Sequence, residues 1–191
     1  MIKVAFSIIM AFVLAGCSSR PVSMNYYLLH EPVQPSETQD ITTWPSIELR
    51  SLSIPEYLKQ RSLIVQLSPS ELHFSPQHVW SEPVEQGVVQ SLKDNLATSH
   101  KFRLQTQRLW TNSAQSGYIL DISIDDFIPA YNGMVILRGT YRLGQSQQPG
   151  KIIEFAFQTP LERDGFAHTV EKMRELVAKL ANQIVTGIEA H

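Results

Sequence analysis

Short stretches rich in apolar residues predict β-strands in the first half of the chain, most clearly where apolar and polar residues alternate with a period of two. One of them, SIELRSLSI, breaks its alternation once, at Arg50-Ser51, which predicts a β-bulge at that point. Two others are separated by Ser68-Pro69-Ser70, a turn signal that predicts a hairpin. The predicted strands of this half are NYYLL, SIELRSLSI, SLIVQL and ELHFS, at residues 25–29, 46–54, 62–67 and 71–75.

The second half carries three longer stretches of the same kind, which together predict an antiparallel meander. In the first of them Leu120, Ile122 and Ile124 alternate with polar residues. Asn132-Gly133 and Pro149-Gly150 separate the stretches and are typical turn sequences. The three predicted strands are YILDISIDDF, GMVILRGTYRLG and KIIEFAFQTPL, at residues 118–127, 133–144 and 151–161.

Two stretches have apolar residues every three or four positions, which is the spacing of an amphipathic helix. The first, residues 81–97, has Ser81 as its expected N-cap and a proline, Pro83, that is tolerated in a first turn. The second closes the chain, with an apolar stripe that begins at Phe166 and ends at Ile188. Strands and helices together predict an α+β fold, a mostly antiparallel sheet packed with two amphipathic helices.

The first twenty residues have the layout of a secretory signal. Lys3 supplies a positive charge, and the apolar run after it has about 11 residues, fewer than the roughly 20 that a membrane-spanning helix needs. The run ends in Leu14-Ala15-Gly16-Cys17, which resembles the lipobox of bacterial lipoproteins. That resemblance implies cleavage before Cys17 and acylation of both its thiol and the new amino terminus. An uncleaved signal anchor with an incidental cysteine is the alternative.

These features divide the chain into a signal peptide at 1–16, a lipidated tether at 17–25 and a single α+β periplasmic domain at 26–191. Ser18, where an inner-membrane lipoprotein has Asp, implies by the same resemblance that the protein is transferred to the outer membrane. The mature chain cannot form an internal disulfide, because it has one cysteine. Loss of Lys3 makes it more negative than the whole chain, whose formal charge is −2, and this argues against nucleic acid or an anionic lipid surface as an electrostatic partner.

The sequence offers no set of residues suited to catalysis, a metal or a cofactor. It lacks a Gly-x-Ser-x-Gly elbow, a phosphate-binding glycine loop and a Ser-x-x-Lys pair. His73 and His78 share no helix or strand face, so we interpret them as a surface pair that flanks a turn at Pro76. Asp125 and Asp126 are adjacent, so a strand would point them to opposite faces. A polar strand edge or a bulge explains them better than paired-carboxylate catalysis.

The IPEYL stretch after the second predicted strand is the candidate binding element of the domain. Pro55 ends the strand and keeps the residue before it extended, and Tyr57 and Leu58 follow at once. One interpretation is a strand end that buries a Tyr-Leu pair. The other is a contact surface for another subunit, with Pro55, Tyr57 and Leu58 as partner-binding residues.

Several stretches in a fixed order resemble the ABC-type transport auxiliary lipoprotein family. NYYLL after a lipobox cysteine opens the series, and a helix after RDGF closes it. The more specific pieces are a Pro-x-Tyr-Leu element at Pro55 and a Trp-x-x-Pro element at Trp80. The resemblance covers nearly the whole mature chain, through LSIPEYLKQRSLIVQLSPSELHFS, VWSEPVEQGVVQSLKDNLA and LDISIDDFIPAYNGMVILRGTYRL.

This resemblance implies an envelope role without catalysis or a cofactor. Such lipoproteins sit at the outer membrane of Gram-negative cells and face the periplasm. They work with an inner-membrane protein and with an MCE-domain protein that bridges the periplasm, in systems that move lipids or other hydrophobic molecules and support envelope integrity. The functional residue that the resemblance assigns in this chain is Cys17.

Three functions remain open from the sequence. The first is a non-enzymatic component that docks the MCE-domain protein at the outer membrane and self-associates through strand edges or helix faces, for instance as a ring. The second is an interaction module of another envelope machine such as a cell-wall synthase, since a fold does not fix a function. The third is a periplasmic lipid carrier or hydrolase, which needs a continuous apolar cavity or a nucleophile with a base in reach.

Overall fold

Eight strands, two α-helices and one short 3-10 helix form in the part of the chain that the structure, a computed structural model, describes: residues 23–32, 43–106, 117–145 and 150–189. No helix in these ranges is long and apolar enough to cross a lipid bilayer. The 3-10 helix Glu56–Lys59 joins β2 to β3. The other elements are β1 (Asn25–Tyr27), β2 (Ser46–Ser53), β3 (Ser62–Ser68), β4 (Glu71–Trp80), α1 (Val84–His100), β5 (Arg103–Thr106), β6 (Tyr118–Pro129), β7 (Met134–Gly144), β8 (Ile152–Pro160) and α2 (Phe166–Glu189).

The strands form two sheets rather than the single sheet that the pattern predicted, and the α+β class is confirmed. The order is β1-β4-β3 in the small sheet and β5-β2-β6-β7-β8 in the large one. The predicted hairpin β3–β4 and the predicted meander β6–β7–β8 are antiparallel. The pairs β1–β4, β2–β5 and β2–β6 are parallel. Parallel neighbours need a long crossover, and β3, β4 and α1 supply it between β2 and β5.

Two strands are bulged where the sequence pattern slips. The register between β2 and β6 shifts around Arg50, which confirms the bulge predicted at this point. The register between β6 and β7 shifts around Asp125, an exposed extra residue of β6. The interpretation of the two adjacent aspartates as a bulge is therefore confirmed.

Glycines allow the meander to pack and to turn. Gly139 of β7 pairs with Ile124 beside the β6 bulge, and a Cβ at this glycine would lie 2.1 Å from the carbonyl oxygen of Ser123. Gly133, in the turn between β6 and β7, has a φ of 77°, which favours a residue without a side chain. The predicted Asn-Gly turn thus has a steric reason at the backbone.

The core lies between the large sheet and the two α-helices. On α1 the predicted stripe of Val84, Val88, Leu92 and Leu96 is at most 3% exposed. The stripe on α2 is buried in the same way from Val170 to Ile188. Burial of one such aliphatic side chain stabilises a fold by about 1.5–3 kcal/mol, so the two stripes hold the helices on the sheet.

The first helix begins later than predicted. α1 starts at Val84, and Pro83, with a ψ of 135°, occupies the N-cap position without a side-chain hydrogen bond. The hydroxyl of Ser81 instead donates to the main-chain carbonyl of Tyr27 at 2.8 Å. A proline at the N-cap position and a distant carbonyl on β1 thus displace the expected cap.

Arg174 of α2 fastens the residues that follow β1, and these leave the sheet after the two tyrosines. The Arg174 guanidinium donates to the carbonyl oxygens of Leu28 and Leu29 at 3.0 Å and of His30 at 3.4 Å. It also forms an ion pair with Glu31 at 3.2 Å. Leu29 is 1% exposed and belongs to the core. Leu28 and Leu29, the second half of the predicted strand NYYLL, are therefore not part of a strand. They form a segment that is hydrogen-bonded to α2.

Candidate functional site

Cys17 lies outside the described residues, so its lipidation stays a prediction. The description of the chain starts at Ser23, two residues before β1. It therefore begins where the predicted tether, residues 17–25, meets the domain.

The predicted binding element, residues 55–58, follows the end of β2 and forms a tight turn. Pro55 is extended, with φ −62° and ψ 151°, and its carbonyl accepts the Leu58 N–H at 3.0 Å to start the 3-10 helix. Leu58 is 3% exposed and belongs to the core, whereas Pro55 and Tyr57 are half-buried. Of the three residues predicted to bind a partner, Pro55 and Tyr57 are thus the ones that are partly exposed.

Tyr57 is tied to the bulged end of β6. Its hydroxyl donates to one carboxylate oxygen of Asp126 at 3.1 Å, and Arg138 of β7 donates to the other. Burial, and next the negative charge of Asp126, raise the pKa of the Tyr57 phenol. The hydrogen bond with Asp126 likewise raises the pKa of Arg138. A protonated phenol, a carboxylate and a guanidinium in this arrangement hold the loop in place and leave no base or nucleophile free.

The face of the large sheet that points away from the helices is polar. Arg50 donates to both carboxylate oxygens of Asp121, and the Ser51 hydroxyl donates to the same carboxylate at 2.7 Å. The hydrogen bond from Arg50 and a weaker one from Ser51 lower the pKa of Asp121, although partial burial opposes them. Ser53 and Ser123 are hydrogen-bonded across the same two strands at 3.1 Å. This face can meet a partner through charges and hydroxyls.

The free edge of the large sheet at β8 is long and regular. Its nine residues pair with β7 without a register shift, and no described strand lies on the other side. Ile152 at its start is 63% exposed. Lys179 and Gln183 of α2 reach over the edge and donate to two β8 carbonyls, both at 3.5 Å, the outer limit of a hydrogen bond. A regular edge of this length is a template for a strand of another chain.

Two open clefts lie along α2, and most of the residues that line them are polar or charged. The larger, of about 610 Å³, lies between α1 and α2, and Pro32 and Ala178 are its apolar lining residues. The smaller, of about 420 Å³, lies at the start of α2, and its apolar lining residue is Ala167. A lipid carrier needs a mostly apolar pocket for its acyl chains. Neither cleft is lined mainly by apolar residues.

Asp94 is a half-buried carboxylate that lines the larger cleft. Its Oδ1 accepts a hydrogen bond from Gln90 at 2.7 Å, while its buried Oδ2 has no partner among the described residues. Burial raises the pKa of Asp94, and the Gln90 hydrogen bond offsets this only in part. No pattern in the sequence indicates this site, because the burial of Asp94 depends on how α1 packs against α2.

His73 and His78, which were interpreted from the sequence as a surface pair, do not flank a turn. β4 runs through Pro76, so the interpretation of His73 and His78 as a pair around a turn is wrong. His73 is exposed, whereas the half-buried His78 has its Nδ1 2.8 Å from the Tyr27 hydroxyl and its ring stacked on Phe166 at 4.2 Å. Across the described ranges no three His, Cys, Asp or Glu side chains are grouped to hold a metal ion.

Relatives of known name match nearly the full length of the chain. PqiC of Escherichia coli strain K12, an intermembrane transport lipoprotein, is 27% identical over 186 residues, which is 95% of each chain. PqiC of Shigella flexneri matches with the same identity and coverage.

Solved structures share the fold, and a family model accounts for the sequence. A crystal structure of a Xanthomonas campestris protein matches with a TM-score of 0.65 at 17% identity, over 87% of this chain and 98% of that one. A crystal structure of an uncharacterized protein matches with a TM-score of 0.67 at 19% identity, over 87% and 99%. The model of the ABC-type transport auxiliary lipoprotein component, a transport component and not a catalytic class, matches residues 27–185. These residues run from the end of β1 into the last turns of α2, and the chain belongs to the ABC-type transport auxiliary lipoprotein family.

Proposed function

We propose that this protein is an outer-membrane-anchored auxiliary lipoprotein of an MCE-type intermembrane transport system. It docks the periplasm-spanning MCE-domain protein at the periplasmic face of the outer membrane and supports envelope integrity. The observation that carries this proposal is the 27% identity to the intermembrane transport lipoprotein PqiC over 95% of both chains. An identity of that extent covers far more than a shared fold core.

The anchor in this proposal is lipid on Cys17 rather than a membrane helix. Residues 1–16 are removed as the signal peptide, residues 17–25 form the tether and residues 26–191 form the periplasmic domain. Each buried acyl CH₂ contributes about 0.8 kcal/mol, and stable attachment needs more than one chain. A Cys17 acylated on its sulfur and its amino group meets that requirement.

The docking role is supported by the surface of the large sheet. The β8 edge offers main-chain hydrogen-bonding groups over nine residues, and the neighbouring sheet face offers the Arg50–Asp121 pair and exposed hydroxyls. Such an edge accepts a strand from the MCE-domain protein or from a second copy of the chain, and repeated pairing between copies builds a ring. Pro55 and the rim of Tyr57 add a second contact element on the same domain.

Site-specific crosslinking in cells tests this proposal. A photoreactive residue at Ala156, on the exposed side of β8, should give adducts with the MCE-domain protein or with a second copy. The same residue at Lys93, exposed on α1, is the matched control and should give neither. Adducts at both positions alike, or at neither, would contradict docking through β8. Adducts with a cell-wall synthase component would instead support the alternative of an interaction module for that machine.

A further inference from the structure

The domain begins within a short reach of Cys17. Six residues separate Cys17 from Ser23, where the described chain starts. A fully extended chain spans at most about 3.3–3.6 Å per residue, so the start of the domain lies no farther than about 20 Å from the cysteine. Whatever is exposed around β1 therefore lies close to the membrane surface if Cys17 carries lipid.

An exposed aromatic and cationic cluster lies at this point. Tyr26 of β1 is 58% exposed and Met24 is 39% exposed. The Arg61 guanidinium lies over the Tyr26 ring, 5.4 Å from its centroid. Arg50, Arg138 and Arg174 each form an ion pair with a carboxylate, whereas Arg61 has none among the described residues.

We propose that Met24, Tyr26 and Arg61 form a membrane-contact surface, which lies against the phospholipid headgroups of the leaflet that holds the Cys17 acyl chains. This inference rests on the lipid anchor of the proposed function. Tyrosine suits the interface, because its ring is apolar and its hydroxyl is polar. Arginine has a planar set of N–H donors whose geometry matches the oxygens of a phosphate group. A flexible apolar methionine fills the irregular space beside them.

The net negative charge of the protein weakly opposes contact with anionic lipid but does not prevent it. The mature chain is acidic as a whole, so it gains nothing from long-range attraction to anionic lipid. The contact needs only a local cation and an aromatic ring, because the covalent anchor keeps the surface at a high effective concentration near the headgroups. Interactions too weak to bind a free domain to a vesicle therefore suffice to orient a tethered one.

The contact fixes which end of the domain faces the membrane. Tyr27, beside the cluster, lies against Phe166 at the start of α2, with ring centroids 6.4 Å apart. At 1.5 Å per residue the 24-residue α2 is about 36 Å long, so its last residue, Glu189, lies far from the cluster. The start of α2 thus lies near the lipid, and its end is free to face the periplasm.

Fluorescence quenching on the full lipidated protein tests the surface. The protein is reconstituted into phosphatidylethanolamine–phosphatidylglycerol vesicles that contain a lipid with a nitroxide headgroup. An environment-sensitive dye is attached to Met24→Cys and, as the distant control, to Glu189→Cys. Acylation blocks the thiol of Cys17, the only native cysteine, so the dye reports one position. We expect quenching at residue 24 to be several-fold stronger than at residue 189.

A double substitution separates contact from mere proximity. Tyr26→Ser with Arg61→Gln, in the Met24→Cys protein, should reduce the quenching to the level at residue 189 without changing the melting temperature. Tyr131→Ser with Arg142→Gln is the matched control, since Tyr131 is 56% exposed and Arg142 is exposed, and it should leave the quenching unchanged.

Two results would overturn the inference: quenching that survives the first double substitution, and equal quenching at residues 24 and 189. Protection of residue 24 in cells without quenching by lipid would point to a protein partner instead and would also overturn it. Failure of the anchor itself gives a different signal, because a wild-type protein that reacts with the dye has a free Cys17 thiol.

Discussion

Two carboxylates of the domain, Asp94 and Asp121, show opposite effects of the environment on a single residue. Asp94 is held in a partly buried position that raises its pKa and leaves one oxygen without a hydrogen bond. Asp121 has its pKa lowered, first by the hydrogen bond from Arg50. At neutral pH the ionised Asp94 therefore destabilises the domain, whereas the ionised Asp121 stabilises it.

We expect Asp94→Asn to stabilise the domain at neutral pH by up to about 1 kcal/mol, because the amide keeps the Gln90 hydrogen bond and carries no charge. The folded pKa of Asp94 is raised, so its contribution is fully present below the unfolded value of about 4 and is lost as the pH rises through the folded pKa. The Asp94→Asn protein should therefore be more stable than wild type only above about pH 4. Thermal melts of both proteins at pH values below and above 4 measure this difference.

Asp121→Asn is the control for this prediction, and its expected effect on stability at neutral pH has the opposite sign. The folded pKa of Asp121 is lowered, so its stabilisation is present above the unfolded value and lost as the pH falls through the folded pKa. Asp121→Asn should cost less than about 1 kcal/mol at neutral pH, as expected of an exposed ion pair. An Asp94→Asn protein that melts lower than wild type at neutral pH would contradict the account of the cleft.

Local spacing decided which single residues could be interpreted from the sequence. The adjacent Asp125 and Asp126 indicated a bulge, because a strand alternates its faces. The bond from Tyr57 to Asp126 joins residues 69 apart in the chain, and no local pattern encodes it. His78 was misinterpreted for the same reason, since its partners Tyr27 and Phe166 lie on distant elements.

At the scale of elements, replacing two different glycines with alanine should have contrasting effects on the stability of the domain. Gly139→Ala should destabilise the domain by several kcal/mol, because its Cβ would meet the main chain of β6 at 2.1 Å and the sheet would have to separate there. Gly187→Ala, in α2, places its Cβ 3.5 Å from Leu143, an ordinary contact. It should be neutral or should stabilise by up to about 1 kcal/mol, since alanine is the better helix former. Urea unfolding of both variants measures the difference.

Equal stabilities for the two alanine variants would contradict the close approach of β6 and β7 at the bulge. A loss at Gly187 alone would show that α2 has less room above Leu143 than the structure gives it. Circular dichroism of both proteins before unfolding separates a loss of stability from a change of fold.

Elements with a strong repeating pattern were predicted well. The stripes of α1 and α2 and the three meander strands follow directly from residues that alternate or recur every turn. The four-residue β5 was missed, because RLQT has too few positions to show a period. The start of α1 was misplaced, because the side chain of Ser81 bonds to β1 rather than to the helix.

For the whole molecule, the lipid anchor makes the simplest prediction. Cys17→Ala should move the protein from the membrane fraction to the soluble periplasmic fraction and abolish labelling with radioactive palmitate, because no acyl chain can then attach. The melting temperature of the purified domain should not change, since Cys17 belongs to the predicted tether and not to the predicted domain. Cell fractionation with Ser18→Ala as the matched control measures this. A Cys17→Ala protein that remains in the outer-membrane fraction would contradict the anchor.

The family of the molecule could be inferred from the sequence, but its sheet architecture could not. An ordered set of stretches along the chain carries the family resemblance, and order is a property of the sequence itself. The division into two sheets depends on β2 pairing in parallel with β5 and β6, across crossovers that the pattern does not specify. The free β8 edge, which the proposed docking uses, follows from that pairing and was therefore invisible in the sequence.

The hydrogen bonds from Arg174 to the main chain of residues 28–30 affect how the domain resists a mechanical force. A tensile force that arrives along the N-terminal tether loads the short β1 along its axis and then meets the guanidinium. The load passes from there into α2, so unfolding from this end has to break the Arg174 hydrogen bonds as well as the pairing of β1 with β4. If Cys17 carries lipid, the domain would thus resist unfolding by a pull on its own anchor.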